Sequence, residues 1–412
     1  YTNENIQTYV EQVLQLESVA CKDWLTNKVD RSVTGRIAKQ QGAGKLHLPL
    51  NNVGVITLDY HGIVGFATSI GHAPVAGMID APAGSVLSIA ESLTNIIWAP
   101  LTDKLKGISL SANWMWPAKN TGENARIYEA VKAASDFACE LGINIPTGKD
   151  SMSMTQKYKD DVVYAPGTVI ISASAEVSDC RKVVEPVLEA DENKEILFID
   201  LSFVPRAIGG SAFSQTRNKL GKIAPTVGNS KKFIKTFNTV QELIEQQLVV
   251  AGHDISSGGL ITTLLEMCFS NNGVGMNVDL SGIGEADFVK VLFSENPGLV
   301  IQCKENELVK SKLTEAGVDF VIIGNPVAKG KGLVKNFENN AEFDIETLRD
   351  LWFKTSYLLD RKQSGHELAL KRFTNYKKFE LLYDFKDFTG KAADLGIDLF
   401  RRKPSGDRKS VV

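Results

Sequence analysis

Three polar residues in two stretches have the types and spacing to hold a hard cation beside phosphate: Glu91 and Asn95 in SVLSIAESLTNIIWAP, and Asp254 in VVAGHDISSGGLITTLLEMCFS. Glu91 and Asn95 stand one helical turn apart, so a carboxylate and an amide oxygen can reach one ion, and magnesium prefers such oxygen ligands. Asp254 precedes Ser256, Ser257, Gly258 and Gly259, which read as the start of a helix. Glycines there let a ligand approach the backbone, and the unpaired N–H groups of a helix start attract phosphate. Plainer readings exist for both stretches. The first is also what a solvated polar helix face looks like, and the second a capped helix after an ordinary turn, with Asp254 a satisfied turn acid.

The stretch IPTGKDSMSM, 145–154, invites comparison with a phosphate-cradling P-loop and fails it. Such a loop places four residues between its first glycine and the Gly-Lys pair, whereas five separate Gly142 from Gly148. The position after Lys149 should carry a hydroxyl for the metal and carries Asp150, which repels phosphate. A polar turn is expected there instead. In PRAIGGSAFSQ, Gly209, Gly210 and Ser211 beside Arg206 suit anion binding, although tight turns explain most such runs. Trp114 and Trp116, two apart in SANWMWPAKN, would share one side of a strand, and packing against a neighbouring domain is expected of them. Cys21, Cys139, Cys180, Cys268 and Cys303 are scattered singly, without the pairing that zinc or a disulfide framework requires; Cys139 and Cys268 read as buried helical thiols.

These residues need elements to carry them. A chain of 412 residues exceeds what one core usually organises and predicts two or three domains, and a hydrophobic share of 43% supports packed cores. With 46 basic against 49 acidic residues there is no excess of charge for a nucleic-acid backbone. No apolar run reaches the roughly 20 residues that cross a bilayer, and no basic, then apolar leader opens the sequence. The expectation is a cytoplasmic protein with neither nucleic acid nor membrane as partner. Spacing of Ile6, Tyr9, Val10, Val13 and Leu16 predicts a helix in a lead-in of 1–35, closed by the turn DRSVTG. Over 36–185, strands VGVITLDY and GTVIISASAEV alternate with helices predicted at Ser85–Ala99, N-capped by Ser85 and stopped by Pro100, and at Glu123–Leu141. After the acid-rich VVEPVLEADENKE, 186–345 repeats the alternation: EILFIDLSFV, a helix near Val240, QLVVAG, a helix from Gly259, GLVIQCKE, a further helix and DFVIIGNPV. Residues 346–412 turn helical, then basic and irregular, and Ser410, Val411 and Val412 read as the start of another strand. The fold class is α/β (α+β), two unequal packed domains with helical extensions.

In this order, DRSVTG, ATSIGHAP, ESLTNIIWAPLTD, LSANWMWPAKN, GKDSMSM, GHDISSGGL and LFSENPG closely resemble the large, single-chain phosphoribosylformylglycinamidine synthases. The resemblance spans roughly 30–298. It implies PurM-like (AIR synthetase-like) N-terminal and C-terminal domains, at 36–185 and 186–345. It also implies an ATP-dependent ligase of purine biosynthesis, which turns formylglycinamide ribonucleotide into formylglycinamidine ribonucleotide with glutamine-derived ammonia. The implied route phosphorylates the amide oxygen and lets ammonia displace the phosphate, so clamping the transferred phosphoryl is the main electrostatic demand. The match is to the family's second PurM-like half and the segment leading to a glutaminase. The first half's catalytic histidine motif and the glutaminase's cysteine and histidine are not in this sequence, so the chain alone is expected to be inactive and no catalytic residue is assigned.

In that family the second half holds an auxiliary ATP or ADP with Mg2+. Motif matching carries the metal positions onto Asn52, Glu91, Asn95 and Asp254, and nucleotide positions onto Lys22, Asn51 and Ser256. The chain departs from the pattern at three places: Asn52 stands where relatives often have aspartate, Ser257 replaces the aspartate of Ser-Asp-Gly-Gly, and Asn296 replaces a glutamate of Ser-Glu-Glu. Fewer carboxylates near the ion predict weaker cation binding. Implied partners are formylglycinamide ribonucleotide in the full enzyme, the first PurM-like half, the glutaminase domain and, through exposed apolar surface, a second copy of this chain. Two other readings are a structural half with a vestigial nucleotide site and a PurM-like small-molecule kinase.

Overall fold

Along the strand Gly65–His72 every second residue is buried and the others are exposed, as a strand with one covered face requires. In the computed structural model, which describes residues 1–26, 29, 35–378 and 380, this strand lies inside a six-stranded sheet. The order is Ile37–Lys39, Gly54–Thr57, Gly65–His72, Thr168–Val177, Ser109–Met115 and Asn144–Ser151, antiparallel except for the last pair. The helix Ala81–Ile96 lies on one face, with Glu123–Leu141 packed beside it. The opposite face leaves Ile56, Phe66 and Ile70 exposed.

The second sheet has seven strands, in the order Val249–Asp254, Gly298–Cys303, Ile196–Asp200, Val321–Val327, Gly275–Asp279, Lys331–Asn336 and Asn339–Asp344. Its strands Ile196–Asp200 and Gly298–Cys303 are buried at nearly every position because both faces are covered. Leu197, Ile199, Leu299 and Ile301 point into one core with Phe233 and Phe237 of the helix Ser230–Glu245. Ile196, Phe198 and Val300 point the other way, towards Leu260 and Leu264 of Gly259–Phe269. That second core also takes in Ile6, Tyr9, Val10 and Val13 from the first helix and Leu348, Trp352 and Phe353 from Ile345–Ser364. The two ends of the described chain therefore meet. Trp352 Nε1 donates to Val19 O (3.0 Å), Cys21 N to Trp352 O (3.2 Å), and Arg372 grips the buried Asp23 with two nitrogens at 2.6 and 2.9 Å.

Several expectations are corrected. The helix predicted from Ser85 begins at Ala81, where Asp80 accepts from Ala83 N (2.9 Å) and proline occupies the first turn; Ser85 is buried a turn further on and donates to Ala81 O (3.1 Å). The stretch 145–151 is part of the strand Asn144–Ser151, not a turn: its polar residues tolerate an exposed edge, and Gly148 lies so close to Ala112 O that a Cβ would stand 2.1 Å from it. The first helix ends at Gln15, with Leu16 already extended. Trp114 and Trp116 share a small cluster within their own domain. Their ring centroids lie 6.3 Å apart, and Trp116 is buried with Ala81 and Ala130 while its Nε1 donates to Glu123 (2.8 Å). Cys139 is exposed, because it falls on the outer side of its helix, whereas Cys268 is buried and its thiol is pushed up to about 12 by burial. Asp30–Thr34 of DRSVTG and the strand expected at Ser410–Val412 lie outside the described residues. Among the described residues no helix is long and apolar enough to cross a membrane.

The two sheets are joined by a side chain and a close approach. Gln241, buried on the helix Ser230–Glu245, accepts from Leu101 N (2.8 Å) and donates to Ile97 O and Ala99 O, so one amide satisfies the backbone where the helix Ala81–Ile96 has ended. Trp98 then lies flat against Gly252, where an added Cβ would stand 2.1 Å from its ring. Gly252→Ala is accordingly expected to cost about 1–3 kcal/mol by overpacking. Urea unfolding checks this; an unchanged midpoint would show that the interface can shift freely.

Candidate functional site

The strand Val249–Asp254 ends in a turn, and Gly258 (φ +98°) and Gly259 (φ +74°) start the next helix in conformations that L side chains rarely adopt. This turn aims Ser256 across the domain boundary, where its hydroxyl donates to Glu91 Oε1 at 2.5 Å. From the loop after Leu48–Pro49, Asn52 reaches the same place: its amide nitrogen donates to Asp254 Oδ1 and meets His253 Nδ1 at 2.9 Å. The helix residue Asn95 donates to Ile70 O (2.9 Å). Ser88 is buried and bonds Gly84 O (2.8 Å), and Glu91 and Asn95 are half-buried, so this helix face is not a solvated one.

A cavity of about 490 Å³ opens beside this cluster. Six of the seven residues picked out by motif line it: Lys22, Asn51, Asn52, Glu91, Asn95 and Ser256. The seventh, Asp254, is fully buried directly behind Asn52. A smaller cavity of about 100 Å³ continues past Glu91, Ser256 and Ser257 towards Gly209, Gly210 and Glu295. Two residues are already engaged with backbone. Lys22 Nζ donates to Glu17 O (2.5 Å) and Ala20 O (2.6 Å), and its pKa is lowered chiefly by burial. Asn51 Nδ2 donates to Gln40 O and Gly42 O, both at 2.7 Å, which leaves its carbonyl oxygen for other partners.

The site is electrostatically loaded. Burial, then repulsion from Asp254, pushes Glu91 up to about 8, against the hydrogen bond from Ser256. Among the described residues Asp254 Oδ2 is buried without a hydrogen-bond partner. Burial alone would lower His253, but its hydrogen bonds with Asp254 (3.3 Å) and Glu266 (3.1 Å) outweigh it and push the imidazole up to about 9. The acid pair thus has His253 against Asp254 Oδ1 on one side and the Ser256 hydroxyl on Glu91 on the other.

Two expectations about this region change. Asn296 does not face the site: its Oδ1 accepts from Ala207 N (3.1 Å), its Nδ2 donates to Ser202 Oγ and Pro205 O, and it holds the 202–207 loop. Of the three neutral replacements, only Asn52 and Ser257 lie on the cavity. At the start of the helix Gly259–Phe269 one N–H is already taken, because Gly258 N donates to Glu295 Oε1 (2.7 Å). His253, Glu266 and Glu295 were missed by motif reading. His253 stands inside GHDIS, adjacent to the assigned Asp254, but only the folded chain shows that it bridges to Glu266 on the following helix.

A family profile for the FGAR-AT PurM_N-like domain matches residues 21–176, and one for the AIR synthase related protein, C-terminal domain, matches 196–335. The chain is 38% identical over 367 residues to the phosphoribosylformylglycinamidine synthase of Homo sapiens, covering 87% of this chain and 27% of that protein. It is 40% identical over 338 residues to a probable phosphoribosylformylglycinamidine synthase of Caenorhabditis elegans, covering 79% and 25%. A Dictyostelium discoideum relative of the same name is 37% identical over 396 residues, covering 90% and 29%. The chain thus spans between a quarter and a third of these relatives' length. Among solved structures, T. maritima PurL complexed with FGAR has a TM-score of 0.62 at 14% identity, covering 83% of this chain and 53% of that one, and T. maritima PurL complexed with ATP has 0.60 at 14%, covering 83% and 52%. These share the fold. The chain therefore carries an FGAR-AT PurM_N-like domain followed by an AIR synthase related C-terminal domain, and over that span it is similar to part of several phosphoribosylformylglycinamidine synthases.

Proposed function

We propose that the cleft between the two sheets is the auxiliary nucleotide site of a phosphoribosylformylglycinamidine synthase. Lys22, Asn51 and Ser256 face ATP or ADP, and Glu91, Asn95, Asp254 and Asn52 surround Mg2+. The observation that carries this reading is convergence: the assigned residues from Lys22 to Ser256, drawn from four separate segments, line one cavity. The donor set fits a cation. Among the described residues Asp254 Oδ2 has no hydrogen-bond partner, Glu91 is raised by burial and then by its acidic neighbour, and a divalent ion between them would relieve both. When bound, magnesium would neutralise this acid pair and the nucleotide's phosphates together. Asn52 works differently from a carboxylate there, since its amide donates to Asp254 and holds that acid in place.

The whole reaction, formylglycinamide ribonucleotide to formylglycinamidine ribonucleotide with glutamine-derived ammonia and ATP, belongs in this reading to the longer protein. The chain alone is inactive, and its domains are those at 36–185 and 186–345, with 1–35 and 346–412 as helical extensions. The uncovered face carrying Ile56, Phe66 and Ile70 supports packing against the other PurM-like half or a second copy of this chain. Five unpaired cysteines agree with a cytoplasmic setting. Adding the missing half and an ammonia source to this chain is expected to restore formylglycinamidine ribonucleotide formation. A folded, associated mixture that makes none would sink the proposal.

A second reading, a packed cleft without a ligand, is favoured by Asn52 and His253, which already fill the Oδ1 side of Asp254. Thermal unfolding separates the two. At a hundred times its dissociation constant ADP adds about 2.7 kcal/mol and raises the melting temperature by a few degrees, whereas the ligand-free cleft gives no shift.

A further inference from the structure

Glu295 follows the helix Phe288–Phe293 in the LFSENPG turn, outside every residue assigned to nucleotide or metal. Its Oε1 accepts two backbone N–H groups at once, from Ala212 (2.7 Å) and from Gly258 (2.7 Å). Ala212 opens the short helix after Gly209, Gly210 and Ser211; Gly258 caps the helix that follows Ser256. One carboxylate oxygen therefore clasps the two glycine-bearing loops that bound the smaller cavity. Each loop in turn touches the other domain. Gly210 packs so tightly that a Cβ would stand 2.7 Å from Ala76, and Ser256 reaches Glu91.

We infer that Glu295 is a positioning residue for nucleotide binding: by pinning Gly258 it fixes the turn that aims Ser256 into the cleft, and by pinning Ala212 it ties that turn to the Gly209–Gly210 loop. The inference rests on the reading of the cleft as a nucleotide site. A free turn with two glycines in left-handed conformations has many alternatives, and a charge-assisted bond to its cap removes them before ligand arrives. The property that matters is an acceptor oxygen at the right reach.

The test measures ADP affinity and backbone amide exchange for the parent chain, Glu295→Gln, Glu295→Asp and Glu295→Ala. Glutamine keeps the acceptor and the reach, and its affinity should stay within about threefold of the parent. Alanine loses the acceptor and should bind about tenfold more weakly or worse, with faster exchange in 208–216 and 254–262. Aspartate keeps the charge but falls short of both N–H groups, so it should bind more weakly than glutamine; this decides the matter if the alanine chain does not fold. Parent-like affinity in the alanine and aspartate variants would overturn the positioning role, as would equal losses in glutamine and alanine. If the parent itself binds no ADP, the reading of the cleft fails and the role of Glu295 with it.

Discussion

Arg349→Ala is expected to lower the free energy of unfolding by about 2–4 kcal/mol, the cost of leaving buried carbonyl acceptors unpaired together with the void the side chain vacates. Arg349 comes from Ile345–Ser364 and is completely buried. Its guanidinium donates to Phe269 O (3.3 Å), Asn271 O (3.5 Å) and Asn272 Oδ1 (3.0 Å), and lies over the Tyr376 ring at 6.0 Å. These acceptors sit at the C-terminal end of Gly259–Phe269, where carbonyls lack helical partners and the dipole favours a cation. Alanine would leave them unpaired and open a void. The helix concerned is the one whose other end carries the site, so the loss removes the scaffold of the cleft. Urea unfolding should show a lower midpoint with an unchanged slope; a loss below about 1 kcal/mol would mean that water replaces the guanidinium.

The second large effect is a pH dependence. Glu91 is raised from 4.5 to about 8, Glu295 from 4.5 to about 7, and His253 from 6.5 to about 9. All three bind protons more tightly folded than unfolded, so each contributes stability at low pH that is lost as pH climbs through its folded value. The ligand-free chain should therefore weaken steadily between pH 4.5 and 9. Glu91 faces Asp254 and, further off, Glu295, both acids, with Ser256 and Asn95 as its hydrogen-bonding neighbours. Glu91→Gln removes the repulsion without removing the side chain's bulk. At pH 8 it should exceed the parent in stability by on the order of 2 kcal/mol, and near pH 4.5 the two should agree. Parallel profiles from pH 5 to 8.5 would refute the buried Glu91 charge, penalised by burial and then by Asp254, as the source.

Elements with strong local patterns were legible in the sequence. Glu123–Leu141 has its predicted limits because Gly122 and Gly142 bracket it in left-handed conformations, and the apolar runs of Ile196–Asp200, Gly298–Cys303 and Val321–Val327 read as strands. Polar strands did not. Asn144–Ser151 has turn-like composition, and Gly275–Asp279, Lys331–Asn336 and Asn339–Asp344 alternate too weakly to stand out; they form because a neighbouring strand offers backbone partners. The site shows the same division. Motifs pointed to the seven residues around the cavity, but nothing local says that Glu266 is the acid that engages His253, or that Glu295 bonds two distant loops. Asn296 was misread for the same reason, since its neighbour Glu295 faces the cavity while its own side chain turns to the 202–207 loop.

The central claim is that the cleft binds a nucleotide through a cation held by Glu91 and Asp254. The most direct measurement is an ADP titration of the folded chain at pH 7.5, with and without magnesium, followed by thermal unfolding and repeated with Glu91→Gln and Asp254→Asn. The parent should melt higher with ADP and higher again when magnesium is present, and both variants should lose the magnesium-dependent part. A shift of equal size in the parent and both variants, or none in any of them, would contradict the claim.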